Sequence, residues 1–163
     1  MKISLAKNED LNEINDIYNY YISNTAYTFD INQRTVAEKK EWFYQFKNSE
    51  TSICLVGYEN KELIGFVSST KFRDKEAYNQ SLETSVYISD KFKGRGFGKK
   101  LMLELIARLK SKNIKNLYAL ITYPNKSSIN LHKTLNFTKV GTLNNVGYKF
   151  KKYWSVHIYE LKL

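Results

Sequence analysis

Three glycines, Gly94, Gly96 and Gly98, alternate with larger residues in the stretch KFKGRGFGKK, between a strand-like run and an amphipathic helical run. A loop of this kind at a helix N-terminus presents successive backbone N–H groups, and the helix dipole there favours negative charge. The spacing therefore predicts a loop that binds phosphate groups. The simplest alternative is a strand-to-helix turn without a ligand.

The spacing separates three cofactor families that use glycine-rich loops. A Walker A loop requires Gly-Lys-Ser/Thr, whereas Gly98 is followed by Lys99 and Lys100, so no hydroxyl can reach a magnesium ion. A dinucleotide fold requires GxGxxG near the start of a βαβ unit, whereas this chain has GxGxG in mid-sequence. These two cofactor classes are thereby disfavoured.

Composition limits the remaining function classes. The 163 residues, 42% of them apolar, suit one domain spanning 1–163. The N-terminal residues are not apolar, and no apolar run approaches the roughly 20 residues that span a bilayer, so we expect a cytoplasmic protein.

The single cysteine, Cys54, is expected to be a small buried side chain and lacks partners for a zinc site. The net charge of +10 suits nucleic acid, an acidic partner or a polyphosphate.

Periodicity predicts an alternation of helices and strands. The first helix follows Asn8 as a cap, and Leu11, Ile14, Tyr18 and Tyr21 recur on one of its faces. Pro124 should end strand pairing because it has no N–H to donate. The other predicted helices cover 36–46, 98–110 and 127–135. The predicted strands cover 2–6, 52–58, 63–72, 83–89, 117–122, 139–143 and 154–161, and residues 25–33 form a loop.

This order of elements resembles that of the GNAT acetyltransferases. The loop 93–98 is similar to the GNAT pattern Q/R-x-x-G-x-G/A, with Lys93 in place of the leading Gln or Arg. The chain resembles more narrowly the phosphinothricin and methionine sulfone acetyltransferase branch, in its Ala-Tyr pair at 77–78, the run ETSVY at 83–87 and the run PNKSSINLH at 124–132. The resemblance implies an α/β GNAT fold, in which helices flank a mixed, mostly antiparallel sheet with a splayed parallel strand pair.

The resemblance also implies acetyl-CoA as the cosubstrate. In the superfamily the strand equivalent to 86–88 splays from its neighbour, so that its backbone can pair with the pantetheine arm and one N–H can hold the thioester oxygen. Asn125 would hydrogen-bond the pantetheine; its alternative role is to cap the following helix, and the two are compatible. The implied cofactor-binding residues are Val86, Tyr87, Ile88, Lys93, Gly94, Arg95, Gly96, Phe97, Gly98, Lys99, Asn125 and Ser128.

Two titratable residues are the implied catalytic groups. A glutamate at the position of Glu83 is proposed in related enzymes to take a proton from the attacking amine, directly or through water. His132 lies where many members have a tyrosine near the CoA sulfur, and an imidazolium there could protonate the leaving thiolate. The alternatives are a solvent-facing strand carboxylate and a histidine that packs beside Leu131 and Leu135.

The acceptor pocket is where this chain departs from its relatives. Asn79 replaces an Arg that some of them carry after Ala-Tyr, and residues 153–155, YWS, replace Trp-His-Asp. Arg73 and Lys149 could hold a carboxylate, or could simply be surface charges. The implied substrate-binding residues are Arg73, Ala77, Tyr78, Glu83, Thr84, Ser85 and Lys149.

We therefore expect an acetyl-CoA-dependent N-acetyltransferase in which the amino group of a small amino-acid-like acceptor attacks directly. Acceptors of the phosphinothricin, methionine sulfone or methionine sulfoximine type are the first choice, and a protein N-terminus or a polyamine is the enzymatic alternative. A basic nucleic-acid-binding module is the alternative from another class. No metal, nucleic acid or membrane partner is expected. Family resemblance suggests a homodimer.

Overall fold

A computed structural model describes residues 1–163. The α-helices are α1 (Leu11–Asn24), α2 (Val36–Phe43), α3 (Phe97–Lys110) and α4 (Lys126–Thr134). The strands are β1 (Lys2–Leu5), β2 (Ile53–Glu59), β3 (Glu62–Lys71), β4 (Ser81–Ile88), β5 (Asn116–Tyr123), β6 (Thr138–Lys149) and β7 (Lys152–Lys162). Short 3-10 turns cover Asn8–Asp10, Tyr44–Phe46, Glu76–Tyr78 and Asp90–Phe92. None of the helices combines the length and the apolarity needed to cross a membrane.

The strands form one seven-stranded sheet in the order β1-β2-β3-β4-β5-β7-β6. Every neighbouring pair is antiparallel except β4 and β5, which are parallel. That parallel pairing covers only three residue pairs, from Ser81–Asn116 to Glu83–Tyr118, although both strands continue beyond it. The predicted mixed sheet with a splayed parallel pair is therefore confirmed.

The two faces of the sheet are covered by different helices. On one face, Leu101, Leu105 and Leu109 of α3 are fully buried against strand residues such as Leu55 and Leu117. On the other face, side chains of α1 and α2 pack against Cys54, Val56 and Phe66. Successive strand residues point to opposite faces, so β4 presents Glu83, Ser85 and Tyr87 towards α1 and α2, and its even-numbered residues towards α3. β4 thus serves both halves of the molecule.

The predicted cap of the first helix is wrong. Asn8 lies in a 3-10 turn, and α1 begins only at Leu11, with Asp10 at its N-cap position.

Two other predicted boundaries differ from the structure for reasons of turn chemistry. The second helix ends at Phe43, and its predicted continuation is a 3-10 turn. The last two strands form one long hairpin whose turn residues, Phe150 and Lys151, both have positive φ. Such two-residue turns usually carry Asn-Gly or Asp-Gly, and neither is present here. The sequence therefore lacks the usual signal for this hairpin, whereas the β2–β3 turn contains Asn60, a residue that tolerates positive φ.

Candidate active site

A cleft opens where β4 and β5 separate. Below it, the hydroxyl of Thr84 donates to the carbonyl oxygen of Tyr118 at 3.2 Å. Beyond Glu83, the backbone of β4 that faces β5 has no strand partner, while its other edge pairs with β3 as far as Ile88. The cleft has a volume of about 440 Å³. Its lining includes Tyr21, Tyr27, residues 84–88, Phe92, Lys93, Gly94, residues 96–99, residues 119–122, Asn125, Ser127, Ser128, Leu131 and His132.

The glycine loop closes one end of this cleft. Gly94 and Gly96 have φ of 74° and 77°, a backbone region that glycine enters without steric cost, and Gly96 is the N-cap of α3. No backbone N–H from Gly94 to Lys99 has a backbone acceptor within the chain. These six consecutive donors and the positive end of the α3 dipole form an anion-binding cradle. The loop thus has the geometry to hold a pyrophosphate.

The side chains of the loop are directed differently. Lys93 lines the cleft and pairs with Asp90 at 2.7 Å. Arg95 instead pairs with Glu59 of the β2–β3 hairpin at 2.9 Å and does not line the cleft. All other residues predicted to bind acetyl-CoA line it. Their binding role remains a prediction.

The side-chain amide of Asn125 is hydrogen-bonded through its oxygen, and its nitrogen has no partner. Its Oδ1 accepts hydrogen bonds from the backbone N–H of Ser128 and from the hydroxyl of Ser127, both at 3.1 Å, and so caps α4. Because the cap requires the oxygen at this end, the Nδ2 group is left as a donor without a partner in the chain. Asn125 lines the cleft. The cap is therefore present and remains compatible with the predicted bond to pantetheine.

His132 is buried in the wall of the cleft. Its Nδ1 lies 2.8 Å from the carbonyl oxygen of Ser128, so Nδ1 carries a proton and donates it. In the neutral ring Nε2 is then an acceptor. Burial lowers the pKa of His132, although the bond to Ser128 opposes this shift. The structure therefore favours a neutral imidazole at pH 7. The imidazolium that the resemblance implies as a proton donor to the CoA sulfur is less favoured.

Glu83 lies at the last residue pair that joins β4 to β5. Its other strand neighbour is Thr70, and its side chain is half-buried. Burial raises the pKa of the Glu83 carboxyl, and the charge of Arg73 partly opposes the rise. A carboxylate with a raised pKa is a better proton acceptor than an ordinary surface carboxylate. Glu83 lines neither the cleft nor the cavity described next.

A second cavity, the α1–α2 cavity, lies on the face of the sheet that α1 and α2 cover. It has a volume of about 300 Å³ and is bounded by α1, α2, β3, β4 and the loop after α1. Its lining residues are Tyr18, Asp30, Arg34, Glu38, Lys39, Trp42, Phe66, Ser68, Thr70, Ser85 and Tyr87. Ser85 and Tyr87 line both the cavity and the cleft. The two spaces therefore meet at β4, where the sheet is open.

The residues predicted to bind the acceptor are distributed unevenly around these spaces. Ser85 lines both of them, and Thr84 lines the cleft only. Arg73 is exposed and donates to its neighbour's carbonyl, Phe72 O, at 2.7 Å. Neither Arg73 nor the turn Glu76–Tyr78, which carries Ala77 and Tyr78, lines either space. The substrate role of these residues remains a prediction.

Lys149 has a clear contact of another kind. It is buried, and its Nζ donates to the carbonyl oxygen of Thr28 at 2.9 Å. Beside it, a Cβ on Gly147 would clash with the Phe29 ring. The β6–β7 hairpin thus packs closely against the loop that contributes Asp30 to the α1–α2 cavity. Lys149 holds that loop and lines neither the cleft nor the cavity.

The sequence does not predict most of the residues that line the α1–α2 cavity. Its residues come from α1, α2, a loop and two strands, and no two cavity residues form a recognisable motif. The only available signal was the pair Ser68 and Thr70, which are polar residues at alternating positions of an otherwise buried strand. Such polar positions on a core face indicate a cavity or a ligand.

Comparison with known proteins establishes the family. A model of the acetyltransferase (GNAT) domain family matches residues 3–158. The phosphinothricin N-acetyltransferase of Streptomyces coelicolor is 36% identical over 95% of this chain and 92% of its own length. The L-methionine sulfoximine/L-methionine sulfone acetyltransferase of Salmonella typhimurium is 31% identical over 100% of this chain and 95% of its own length. The chain belongs to the GNAT acetyltransferase family.

Solved structures agree on the fold but differ in the acceptor that their names state. A phosphinothricin acetyltransferase from Sinorhizobium meliloti, solved with acetyl-CoA, has a TM-score of 0.95 at 26% identity, over 99% of this chain and 88% of its own. A ribosomal-protein-alanine N-acetyltransferase from Brucella melitensis has a TM-score of 0.96 at 29% identity, over 100% of both chains. The fold therefore identifies an N-acetyltransferase without selecting the acceptor.

Proposed function

We propose that this chain, as one domain spanning 1–163, transfers the acetyl group of acetyl-CoA to the α-amino group of a small amino acid or a close analogue. The observation that carries the proposal is the meeting of two differently built spaces at Ser85 and Tyr87. One is a long cleft with a phosphate cradle, and the other is a compact polar cavity. Direct transfer needs both reactants bound together, with their reacting atoms in contact.

The residues of the cleft fit acetyl-CoA in both chemistry and order. The N–H groups from Gly94 to Lys99 would hold the pyrophosphate, with Lys93 and Lys99 as nearby cations. The edge of β4 over residues 86–88 has no strand partner and would pair with the amides of pantetheine as a substitute strand, although the carbonyl oxygen of Ile88 already accepts the hydroxyl of Tyr21. The free amide of Asn125 would donate to the same arm. When bound, acetyl-CoA supplies the activated acetyl group.

The chain itself supplies proton transfer and charge stabilisation. An ammonium has no lone pair, so the acceptor must lose a proton before it attacks. Glu83, with its raised pKa and its position at the mouth of the splay, would accept that proton directly or through water. An N–H on the free edge of β4 would stabilise the developing oxyanion. His132, neutral with Nδ1 bound to Ser128, has no proton at Nε2 to give to the departing thiolate.

The α1–α2 cavity favours a small acceptor over a peptide or a polyamine. Its volume, about 300 Å³, lies at the low end of the roughly 300–1,000 Å³ of small-molecule sites. The names of the Streptomyces and Salmonella relatives support acceptors of the phosphinothricin and methionine sulfone type. The Brucella neighbour supports the alternative of a protein N-terminus, so both classes belong in the test.

Location and assembly complete the proposal. We propose a cytoplasmic enzyme. We also propose a homodimer, because the β6–β7 hairpin exposes several large apolar side chains, and exposed apolar patches often mark protein–protein interfaces. The six are Val140, Leu143, Val146, Tyr148, Phe150 and Tyr153, each at least 40% exposed. Sedimentation analysis of the wild type and of Tyr153→Ser checks the assembly; a monomeric wild type contradicts it.

The function is tested with an acceptor panel assayed by thiol release. Acetyl-CoA should first raise the melting temperature, because a ligand of the native state stabilises it by mass action. We then expect turnover with methionine sulfone, methionine sulfoximine or phosphinothricin, and little with spermidine or with a ribosomal N-terminal peptide. Turnover restricted to the polyamine or the peptide contradicts the amino-acid assignment and leaves the acetyltransferase activity standing.

A further inference from the structure

Lys39 of α2 is a buried lysine without an ionic partner. Only 4% of it is exposed, and it lines the α1–α2 cavity. Its Nζ lies 3.9 Å from the centre of the Tyr18 ring and 4.6 Å from that of Trp42. This ammonium group takes part in no ion pair and no hydrogen bond within the chain. The aromatic rings stabilise the cation only in part, because they satisfy none of its three N–H donors.

The other charged groups of the cavity are already paired with one another. Arg34 donates to both oxygens of Asp30, at 3.1 Å and 3.0 Å, and lies 3.5 Å from Glu38. Glu38 also accepts the backbone N–H of Thr35 as part of the helix cap. The pKa of Asp30 is lowered mainly by its bond to Arg34, so it is ionised. These three charges sum to one negative charge, and their close contacts leave the Lys39 ammonium as the unpaired cation of the cavity.

A buried, unpaired cation is costly to the fold. Burial lowers the pKa of Lys39 to about 8, against the opposing field of Asp30. Lysine is seldom buried to this extent without a partner. A methionine or a leucine would fill the same space between Tyr18 and Trp42 at lower cost. A charge kept in a cavity beside a reaction centre suggests that a ligand supplies the missing partner.

We propose that Lys39 binds the α-carboxylate of the acceptor amino acid and thereby selects amino acids over amines that lack this group. The inference rests on the proposed function and assigns a residue to its acceptor side. An α-carboxylate and an α-amine share one carbon atom. A carboxylate on Lys39 therefore keeps the amine within the cavity, whose boundary with the cleft is formed by Ser85 and Tyr87. Ser68 and Thr70 offer hydroxyls to the polar end of the acceptor side chain.

The two cations expected from the sequence to hold this carboxylate are placed less well. Arg73 is exposed and outside the cavity, and Lys149 is bound to the carbonyl of Thr28. Lys39 alone combines a position in the cavity wall with an ammonium that has no partner. A purely structural role, in which Lys39 serves only as a spacer between two aromatic rings, is the competing explanation.

The test compares an acid with its uncharged amide. Methionine sulfone and methionine sulfone amide differ in the carboxylate alone. The ratio of their kcat/KM values, taken within one protein, cancels any change in activity that affects both substrates equally. The variants are Lys39→Met and, as a second neutral variant, Lys39→Gln. The control is Lys40→Met, which removes the same charge from the adjacent, exposed position of α2. Binding of methionine sulfone, measured by calorimetry, gives a readout that does not need turnover.

We expect Lys39→Met to lower the acid-to-amide ratio by at least about tenfold, as for the loss of a charge-assisted hydrogen bond, through KM more than kcat. Lys40→Met should keep the wild-type ratio. Equal losses for acid and amide, or no loss for either, overturn the inference in favour of the spacer role while leaving the proposed function intact. A wild type that turns over only polyamine or peptide and does not bind methionine sulfone contradicts the proposed acceptor, and the inference with it. If wild type binds methionine sulfone without turnover and Lys39→Met abolishes binding, the inference stands and the proposed acceptor fails.

Discussion

The cleft and the α1–α2 cavity meet at β4 but are built in opposite ways. The cleft depends on contiguous segments, chiefly the glycine loop with the start of α3, and on backbone groups whose chemistry is the same in any sequence. The cavity depends on side chains from five elements, and its chemistry changes with each of them. The site for the acetyl donor can therefore be recognised from a local backbone pattern, whereas we expect the acceptor to be selected by side chains that differ from one sequence to another. The Sinorhizobium and Brucella proteins, both similar to this chain in fold and different in the acceptor that their names state, illustrate this difference.

The largest effect is expected at Glu83, where the pairing of β4 with β5 ends. Glu83→Gln should lower kcat by about 100-fold or more and leave acetyl-CoA affinity unchanged, because proton transfer belongs to the chemical step. Since the pKa of Glu83 is raised, the basic carboxylate is lost as pH falls through a value above the usual range. The acid limb of the kcat profile should therefore disappear in the variant. Steady-state kinetics across pH, with the exposed Glu9→Gln as a control, measure this; an unchanged kcat removes Glu83 from the mechanism.

A change in the glycine loop should affect the cleft alone. Gly96→Val should weaken acetyl-CoA binding by about tenfold or more, because a Cβ occupies the surface that must approach phosphate and a β-branched residue resists the positive φ. Gly96→Asn separates these causes, since asparagine tolerates that φ. Titration calorimetry should show weaker binding for both variants, and more so for valine. Wild-type affinity in both would contradict the loop assignment.

Removing the buried charge of Lys39 from the α1–α2 cavity should weaken acceptor binding and stabilise the fold. Lys39→Met should raise the free energy of unfolding at pH 7 by about 1 to 3 kcal/mol, because each pKa unit corresponds to roughly 1.4 kcal/mol and the pKa of Lys39 is lowered from 10.5 to about 8. The unfolded chain binds more protons than the folded one between these two values, so wild-type stability rises with pH through that window. The advantage of the variant should therefore shrink from pH 8 upwards. Urea unfolding at pH 7 and pH 10 measures it, and a loss of stability at pH 7 contradicts the unpaired charge.

The smallest effect is expected at His132. Because burial lowers its pKa, the imidazolium is populated only below the ordinary range, and at pH 8 the ring has no proton at Nε2 to give. His132→Phe should therefore lower kcat at pH 8 by less than about tenfold, well short of a typical acid–base contribution. Single-turnover rates at pH 8 decide the point. A loss as large as that of Glu83→Gln restores His132 as the acid.

The sequence by itself determined the order of elements, the glycine loop and the cap at Asn125. These features depend on residues close together in the chain: positive φ favours glycine, an N-cap favours asparagine, and leucines four residues apart form a helix face. The family resemblance added the splay of β4 from β5, which the structure shows. The hairpin turn at Phe150–Lys151 escaped prediction because its residues do not favour the backbone that they adopt.

Only the tertiary structure decided which charges are free. Lys39, Lys149 and Arg73 are basic residues that no local sequence pattern distinguishes. Packing pairs Lys149 with a carbonyl from a residue 121 positions away, leaves Arg73 in solvent and buries Lys39 between Tyr18 and Trp42. A side chain's charge state and partners depend on atoms brought together from distant segments, and no local pattern records them. For that reason the acetyl donor can be recognised in the sequence, and the selection of the acceptor lies in the packing of α1 and α2 on the sheet.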